Sequence, residues 1–145
     1  MDWYDKSFDD LTVYELFRIY QLRTVVFNAE QDSTYPDPDD EDLTARHVFC
    51  KDGNRVVAYA RYFMDGDHVT FGRVVIAKDY RGTGLSTPLM EKIMSGIKKY
   101  FPGHEIIIHA QYYVRRYYAK FGFVPFGDTF IEADRQHISM KHPAL

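Results

Sequence analysis

At 145 residues, with 46% hydrophobic and 17% aromatic side chains, the chain is long enough for one core and too apolar for a disordered or fibrous protein. A formal net charge of −3 gives no overall attraction to nucleic acid or to an anionic membrane, and mildly favours cationic partners such as amines. Apolar runs as short as Ile106 to Ile108 cannot span a bilayer, the acidic amino terminus lacks the basic start of a signal peptide, and the single Cys50 rules out an intramolecular disulfide, so one cytoplasmic domain over residues 1–145 is expected.

In chain order, Trp3 to Phe8 reads as a short strand. Thr12-x-x-Glu15 matches a capping box ahead of apolar residues at Leu16, Ile19, Tyr20, Val26 and Phe27, so a helix follows and ends near Glu30, before the breakers Asp32, Ser33, Pro36 and Pro38. The loop from Gln31 to Thr44 carries Asp37, Asp39, Asp40, Glu41 and Asp42. It is no EF-hand, because Asp42 and Val48 stand where that motif needs glycine and glutamate. Its two readings are a solvated acidic loop and an electrostatic lure for a cationic acceptor. Cys50, behind Val48 and Phe49, is expected to be buried and inert.

His47 to Lys51, Arg55 to Met64 and His68 to Ile76 are β-rich runs separated by Asp52-Gly53 and Asp65-Gly66; Asp-Gly between such runs signals a hairpin, so a three-stranded antiparallel meander is expected. The third run enters a glycine-rich loop, after which Leu85, Leu89, Ile93 and Ile97 repeat at helical spacing as far as Tyr100. Beyond Pro102-Gly103, Glu105 to Ala110 reads as a buried strand, Val114 to Lys120 as a short helix, and Phe123 to Phe126 with Phe130 to Met140 as up to two further strands. Strand, crossover helix and strand imply parallel neighbours, which makes the sheet mixed.

A glycine loop that opens a helix leaves backbone N–H groups without intrahelical acceptors at the positive end of the helix dipole. Arg81, Gly82, Thr83, Gly84, Leu85 and Ser86 therefore read as an anion cradle, with a plain linking turn as the alternative. A Walker loop is excluded because Leu85 and Ser86 follow Gly84, and a dinucleotide fingerprint because its third glycine falls at Thr87. The segment resembles the acyl-CoA loop of the GNAT superfamily of N-acetyltransferases, Q/R-x-x-G-x-G/A, and departs from it at Ser86. That family's N-x-x-A-x-x-L/F-Y-x-x-x-G-F pattern has a counterpart from Gln111 to Phe123. Tyr118, Gly122 and Phe123 match, and Gln111, Val114 and Tyr117 are substitutions.

The chain is similar to the ElaA-type branch along nearly its whole length. The likeness runs through Leu22-Arg23, Val26-Phe27, Glu30-Gln31, Tyr35, Asp37, Asp39, Asp42 and His47, then Gly72-Arg73-Val74, Ala110-Gln111, Phe130, Glu132, His137 and Met140. It breaks at Ala133-Asp134-Arg135-Gln136, where that branch has Asp-Gly-Ile-Pro.

The resemblance implies an α/β (α+β) fold with a mostly antiparallel central sheet, helices on both faces, and splayed strands at His68 to Ile76 and Glu105 to Ala110. It implies acetyl-CoA with its pyrophosphate on the amides of Arg81 to Ser86, its pantetheine along Val74, Val75 and Ile76, and Gln111 and Tyr118 beside it. A backbone N–H near Val74 or Val75 would stabilise the oxyanion, and Tyr118 would protonate the departing thiolate. A plain core tyrosine is the competing reading of Tyr118. Candidates for the base are Glu30, His47, His109, Glu132 and His137, with Glu30 and His47 preferred.

None of the 6 histidines has a metal-binding spacing, so no metal is expected. Packing and a solvated arginine face account for the run from Tyr112 to Tyr118 better than nucleic-acid binding does. The implied activity is N-acetyl transfer from acetyl-CoA to a primary amine of a small molecule or protein. A non-catalytic acyl-CoA sensor or interaction module is the alternative, and exposed aromatics would permit a homodimer.

Overall fold

Gly53 and Gly66 take φ of +61° and +68°, as tight hairpin turns require, and they fold β2 (Arg46–Asp52), β3 (Arg55–Asp65) and β4 (His68–Ile76) into the expected meander. The computed structural model describes residues 1–145. It adds β1 (Asp2–Ser7), β5 (Ile106–Gln111), β6 (Val124–Glu132) and β7 (Arg135–His142) to give one seven-stranded sheet in the order β1-β2-β3-β4-β5-β7-β6. All neighbours are antiparallel except β4 and β5. No helix is long and apolar enough to cross a membrane.

Helix α1 (Val13–Arg23) begins at the expected capping box: Glu15 N–H donates to Thr12 Oγ1 at 3.1 Å, and Thr12 N–H donates to Glu15 Oε1 at 2.9 Å. It runs on as a π-helical stretch, Thr24–Glu30, a widened geometry that recurs at functional sites. The segment read as loop contains one helical turn, α2 (Glu41–Thr44). Helix α3 (Ser86–Tyr100) follows the glycine loop, and α4 (Arg115–Ala119) follows a 3-10 turn at Tyr112–Val114.

Tyr59 and Tyr62, three apart on β3, project to opposite faces of the sheet. Arg23 of α1 lies over the Tyr59 ring at 5.4 Å, while the Tyr62 hydroxyl packs so closely on Gly96 of α3 that a Cβ there would lie 2.2 Å from it. Helices α1 and α3 therefore cover opposite faces, which is why β3 is buried continuously from Val56 to Tyr62.

The sheet opens between β4 and β5. Only Val69 and Ile106 pair, with Val69 N–H donating to Glu105 O at 2.9 Å, and β5 then pairs with β7 along its whole length. Opposite the gap, Tyr59 pairs with Val75 but Arg61 with Gly72, so β4 holds an extra residue, and Arg73 takes φ +51° in the bulge. Ala77 N–H donates to Val57 O at 2.9 Å. Main-chain groups alternate sides along an antiparallel strand, so those of Val75 go to β3 and those of Val74 and Ile76 face the gap.

The chain terminus corrects one expected strand. Phe130 to Met140 is not continuous: it turns at Ala133 and Asp134, with φ of +50° and +61°, to form the β6–β7 hairpin.

Candidate functional site

The gap between β4 and β5 widens into a cleft of about 650 Å³, walled by both strands, the 3-10 turn and α4, the segment after α1, and the β6–β7 turn. Arg61 Nε, Gln111 Oε1 and Tyr117 Oη are buried without a hydrogen-bond partner, and all three residues line this cleft. Folded chains pair nearly all such groups, so their concentration here marks a surface shaped for a polar ligand.

At one end stands the glycine loop. The N–H groups of Arg81 and Thr83 reach Lys78 O and Tyr80 O at 3.3 and 3.4 Å, whereas those of Gly82, Gly84, Leu85, Ser86 and Thr87 have no protein acceptor. Of the expected Arg81–Ser86 set, the amides of Gly82, Gly84, Leu85 and Ser86 are thus open, as is that of Thr87, while those of Arg81 and Thr83 turn back on the preceding residues. Gly82 and Gly84 take φ of +78° and +89°, and a Cβ at either would meet nothing within 4 Å. Backbone conformation, not crowding, calls for glycine there. The Leu85 side chain points into the core.

Arg81 spans the mouth of the loop. Its Nη2 donates to Glu30 Oε2 at 2.8 Å and its Nε to Ile76 O at 3.0 Å. An extended ligand on this edge therefore finds Val74 free, Val75 engaged with Tyr59 and Ile76 reachable once Arg81 moves.

Tyr118 packs against Phe71 at 5.8 Å and Phe123 at 6.2 Å and lines the cleft. Burial pushes its phenol up to about 12, helped by Tyr117 and Tyr113. It therefore stays protonated across the physiological range and can act as a donor.

Neither preferred base stands in the cleft. His47 is 0% exposed, with Nδ1 2.7 Å from Tyr59 Oη and Nε2 2.9 Å from Asp42 O. A carbonyl only accepts, so Nε2 carries the hydrogen and Nδ1 accepts from Tyr59. Burial holds this imidazole below its ordinary value, and it is a satisfied core group. Glu30 is bound to Arg81 and lines a separate groove of about 390 Å³, so it serves to fasten Arg81. The other three candidates come together in the cleft. His109 Nδ1 lies 3.0 Å from Glu132 Oε1, and His137 Nε2 lies 3.7 Å from Glu132 Oε2. His137 Nδ1 donates to Arg135 O at 2.8 Å, which leaves the lone pair of its neutral form on Nε2. No group of three His, Cys, Asp or Glu side chains is arranged to hold a metal ion.

The acidic loop is solvated only in part: Asp39, Asp40 and Glu41 are exposed, while Asp37 and Asp42 are buried in an arginine network. Arg23 Nε donates to Asp37 Oδ2 at 2.7 Å, and its Nη1 to Asp42 Oδ1 at 2.8 Å. Arg61 joins Asp42 at 2.8 Å and also Asp39, and Arg73 lies 3.0 Å from Asp37 and 3.3 Å from Asp39. Burial disfavours ionised Asp42, but hydrogen bonds and charge from Arg23 and Arg61 outweigh it and hold its carboxyl below the usual range. Hydrogen bonding from Arg61 does the same for Asp39. This balanced network ties the loop to the β4 bulge. A left-handed residue such as Arg73 costs of order 1–3 kcal/mol unless its surroundings hold it, and Asp37 and Asp39 do so.

Residues 30–143 match the family described as acetyltransferase (GNAT) domain. Across the full chain and 98% of the relative, the sequence is 32% identical to protein ElaA of Escherichia coli. The crystal structure of that protein superposes with a TM-score of 0.92 over 98% of this chain and 99% of the other. An acyl-CoA N-acyltransferase from Pseudomonas aeruginosa superposes with a TM-score of 0.93 at 33% identity, over 97% of this chain and 98% of that one. With the splayed sheet and the glycine loop in place, the chain belongs to the GNAT acetyltransferase family, in the branch of ElaA.

Proposed function

We propose that the chain is a single acetyltransferase domain that moves an acetyl group from acetyl-CoA directly to a primary amine. The observation that carries this reading is the set of unpaired amides at Gly82, Gly84, Leu85, Ser86 and Thr87, at the start of α3 beside the strand gap. Such an array suits a pyrophosphate, and the free edge at Val74 suits the amide arm of pantetheine. Gln111 and Tyr117 offer their unpaired atoms to the same ligand.

The reaction then needs three services. His137 Nε2, backed by Glu132, takes one proton from the acceptor ammonium, and the amine lone pair forms the C–N bond at the acetyl carbon. Val74 N–H donates to the carbonyl oxygen as charge develops on it. The C–S bond breaks, the sulfur takes the Tyr118 hydroxyl proton, and the second excess proton on nitrogen returns to Tyr118 through water. The products are an amide and free CoA thiol, with one proton left on His137.

Thiol release from acetyl-CoA across a panel of amines tests this directly. Amine-dependent release is expected. Tight acetyl-CoA binding with no turnover of any amine would favour the non-catalytic sensor, and absence of binding would dismiss both.

A further inference from the structure

Arg61, Arg73, Arg81 and Arg135 line the cleft. Arg61 pairs with Asp42 at 2.8 Å, Arg73 with Asp37 at 3.0 Å and Arg81 with Glu30 at 2.8 Å. Arg135 has no carboxylate. Its protein bond runs from Nη2 to the Gln31 carbonyl at 3.1 Å, which pins the β6–β7 turn to the end of the π-helical stretch and leaves the other guanidinium N–H groups free.

The partner of Arg135 across the hairpin is Glu132. Directly opposed side chains share a face of the sheet, with Cβ atoms roughly 5 Å apart, and an arginine and a glutamate so placed ordinarily join. Here they do not. Glu132 turns to His109 at 3.0 Å and lies 3.7 Å from His137. A cation and a proton-accepting cluster are therefore held side by side, each unpaired with the other, in the wall of the cleft. That is the complement of a zwitterion.

Resting on the acetyl-transfer reading, we infer that the acceptor is an α-amino acid, its ammonium received by Glu132 and His137 and its carboxylate by Arg135. The planar guanidinium fork suits a carboxylate through two parallel hydrogen bonds. A polyamine or simple alkylamine would leave Arg135 unmatched and bring a second cation near it, so discrimination comes from repulsion as well as attraction. Asp37, Asp39 and Asp42 give such amines no compensation, because Arg23, Arg61 and Arg73 balance them, and the unpaired Asp40 and Glu41 lie outside the cleft.

The test compares L-amino acids with their carboxamides as acceptors, in the wild type, Arg135→Met and Arg135→Lys, with acetyl-CoA binding measured calorimetrically on each protein. The wild type is expected to favour at least one amino acid over its amide by tenfold or more in kcat/KM. Arg135→Met should reduce that ratio to within twofold, mainly through KM, and Arg135→Lys should retain part of it, since it keeps the charge and loses the fork. A wild type that binds acetyl-CoA and prefers carboxamides or carboxylate-free amines overturns this inference and leaves acetyl transfer standing, as does an Arg135→Met protein that keeps the full ratio. A wild type that binds no acetyl-CoA, or acetylates no amine, overturns both.

Discussion

Arg23 and Asp42 meet through two hydrogen bonds, Nη1 to Oδ1 at 2.8 Å and Nη2 to Oδ2 at 3.2 Å, with the arginine 0% exposed. Removing one partner of such a pair leaves the other charge buried and uncompensated, a loss of about 3–5 kcal/mol. Arg23→Met takes one cation each from Asp42 and Asp37, leaving them Arg61 and Arg73 respectively, so the low end of that range applies. Urea unfolding should show stability falling by about that amount; a fall under about 1 kcal/mol would mean that the network adds little to the fold.

The same network sets the response to acid. Asp39 and Asp42 have depressed carboxyl values in the folded state, so they contribute stability that is present above the ordinary carboxylate value of about 3.9 and is lost as pH falls below it. His47 is also depressed. Between its folded value and the unfolded value of about 6.5, the unfolded chain binds the extra proton, so stability declines as pH drops below about 6.5. Melting temperature against pH should show a first decline below about 6.5 and a second below about 4. A flat profile from pH 7 to 5 contradicts the role given to His47.

Ala133 holds φ +50° in the β6–β7 turn without the freedom of glycine. An L-residue other than glycine pays roughly 1–2 kcal/mol for that conformation. Ala133→Gly should raise stability by about 1 kcal/mol in the same urea assay, less the extra entropy of an unfolded glycine. A destabilised variant would place the turn elsewhere.

Tyr118→Phe keeps the ring against Phe71 and Phe123 and removes only the donor. General-acid assistance is worth about 10²–10⁴ in rate, so kcat should fall at least about 100-fold while acetyl-CoA affinity changes little. Because burial lifts the phenol to about 12, its ionisation should cause no loss of wild-type rate up to pH 10. An unaltered kcat in the variant assigns the tyrosine to the core alone.

Much of this architecture is legible in the residues. Thr12 and Glu15 specify a cap because their side chains satisfy each other's neighbours locally, and Asp52-Gly53 and Asp65-Gly66 specify turns because glycine supplies positive φ. The glycine loop is equally local. What stays hidden depends on distance along the chain. Asp37, Asp39 and Asp42 look solvated until Arg23, Arg61 and Arg73 arrive from α1, β3 and β4 to neutralise them.

Where the candidate bases lie is hidden for the same reason. The chemistry of His47 suits the role, but β2 and β3 bury it against Tyr59, whereas His109, Glu132 and His137 meet only when β5, β6 and β7 pair. The signal for the last turn is weak because Ala133-Asp134 lacks the usual Asn-Gly or Asp-Gly.

Calorimetric titration of acetyl-CoA into the wild type and Gly84→Val tests the central claim most directly. Valine at φ +89° both distorts the cradle and puts a branched side chain beside its free amides. The wild type should bind with a measurable heat, and the folded variant should bind at least about tenfold more weakly, roughly 1.4 kcal/mol. Equal affinity in the two proteins, or no heat from well-folded wild type, would contradict the assignment of the open amides between Gly82 and Thr87 to the cofactor's pyrophosphate.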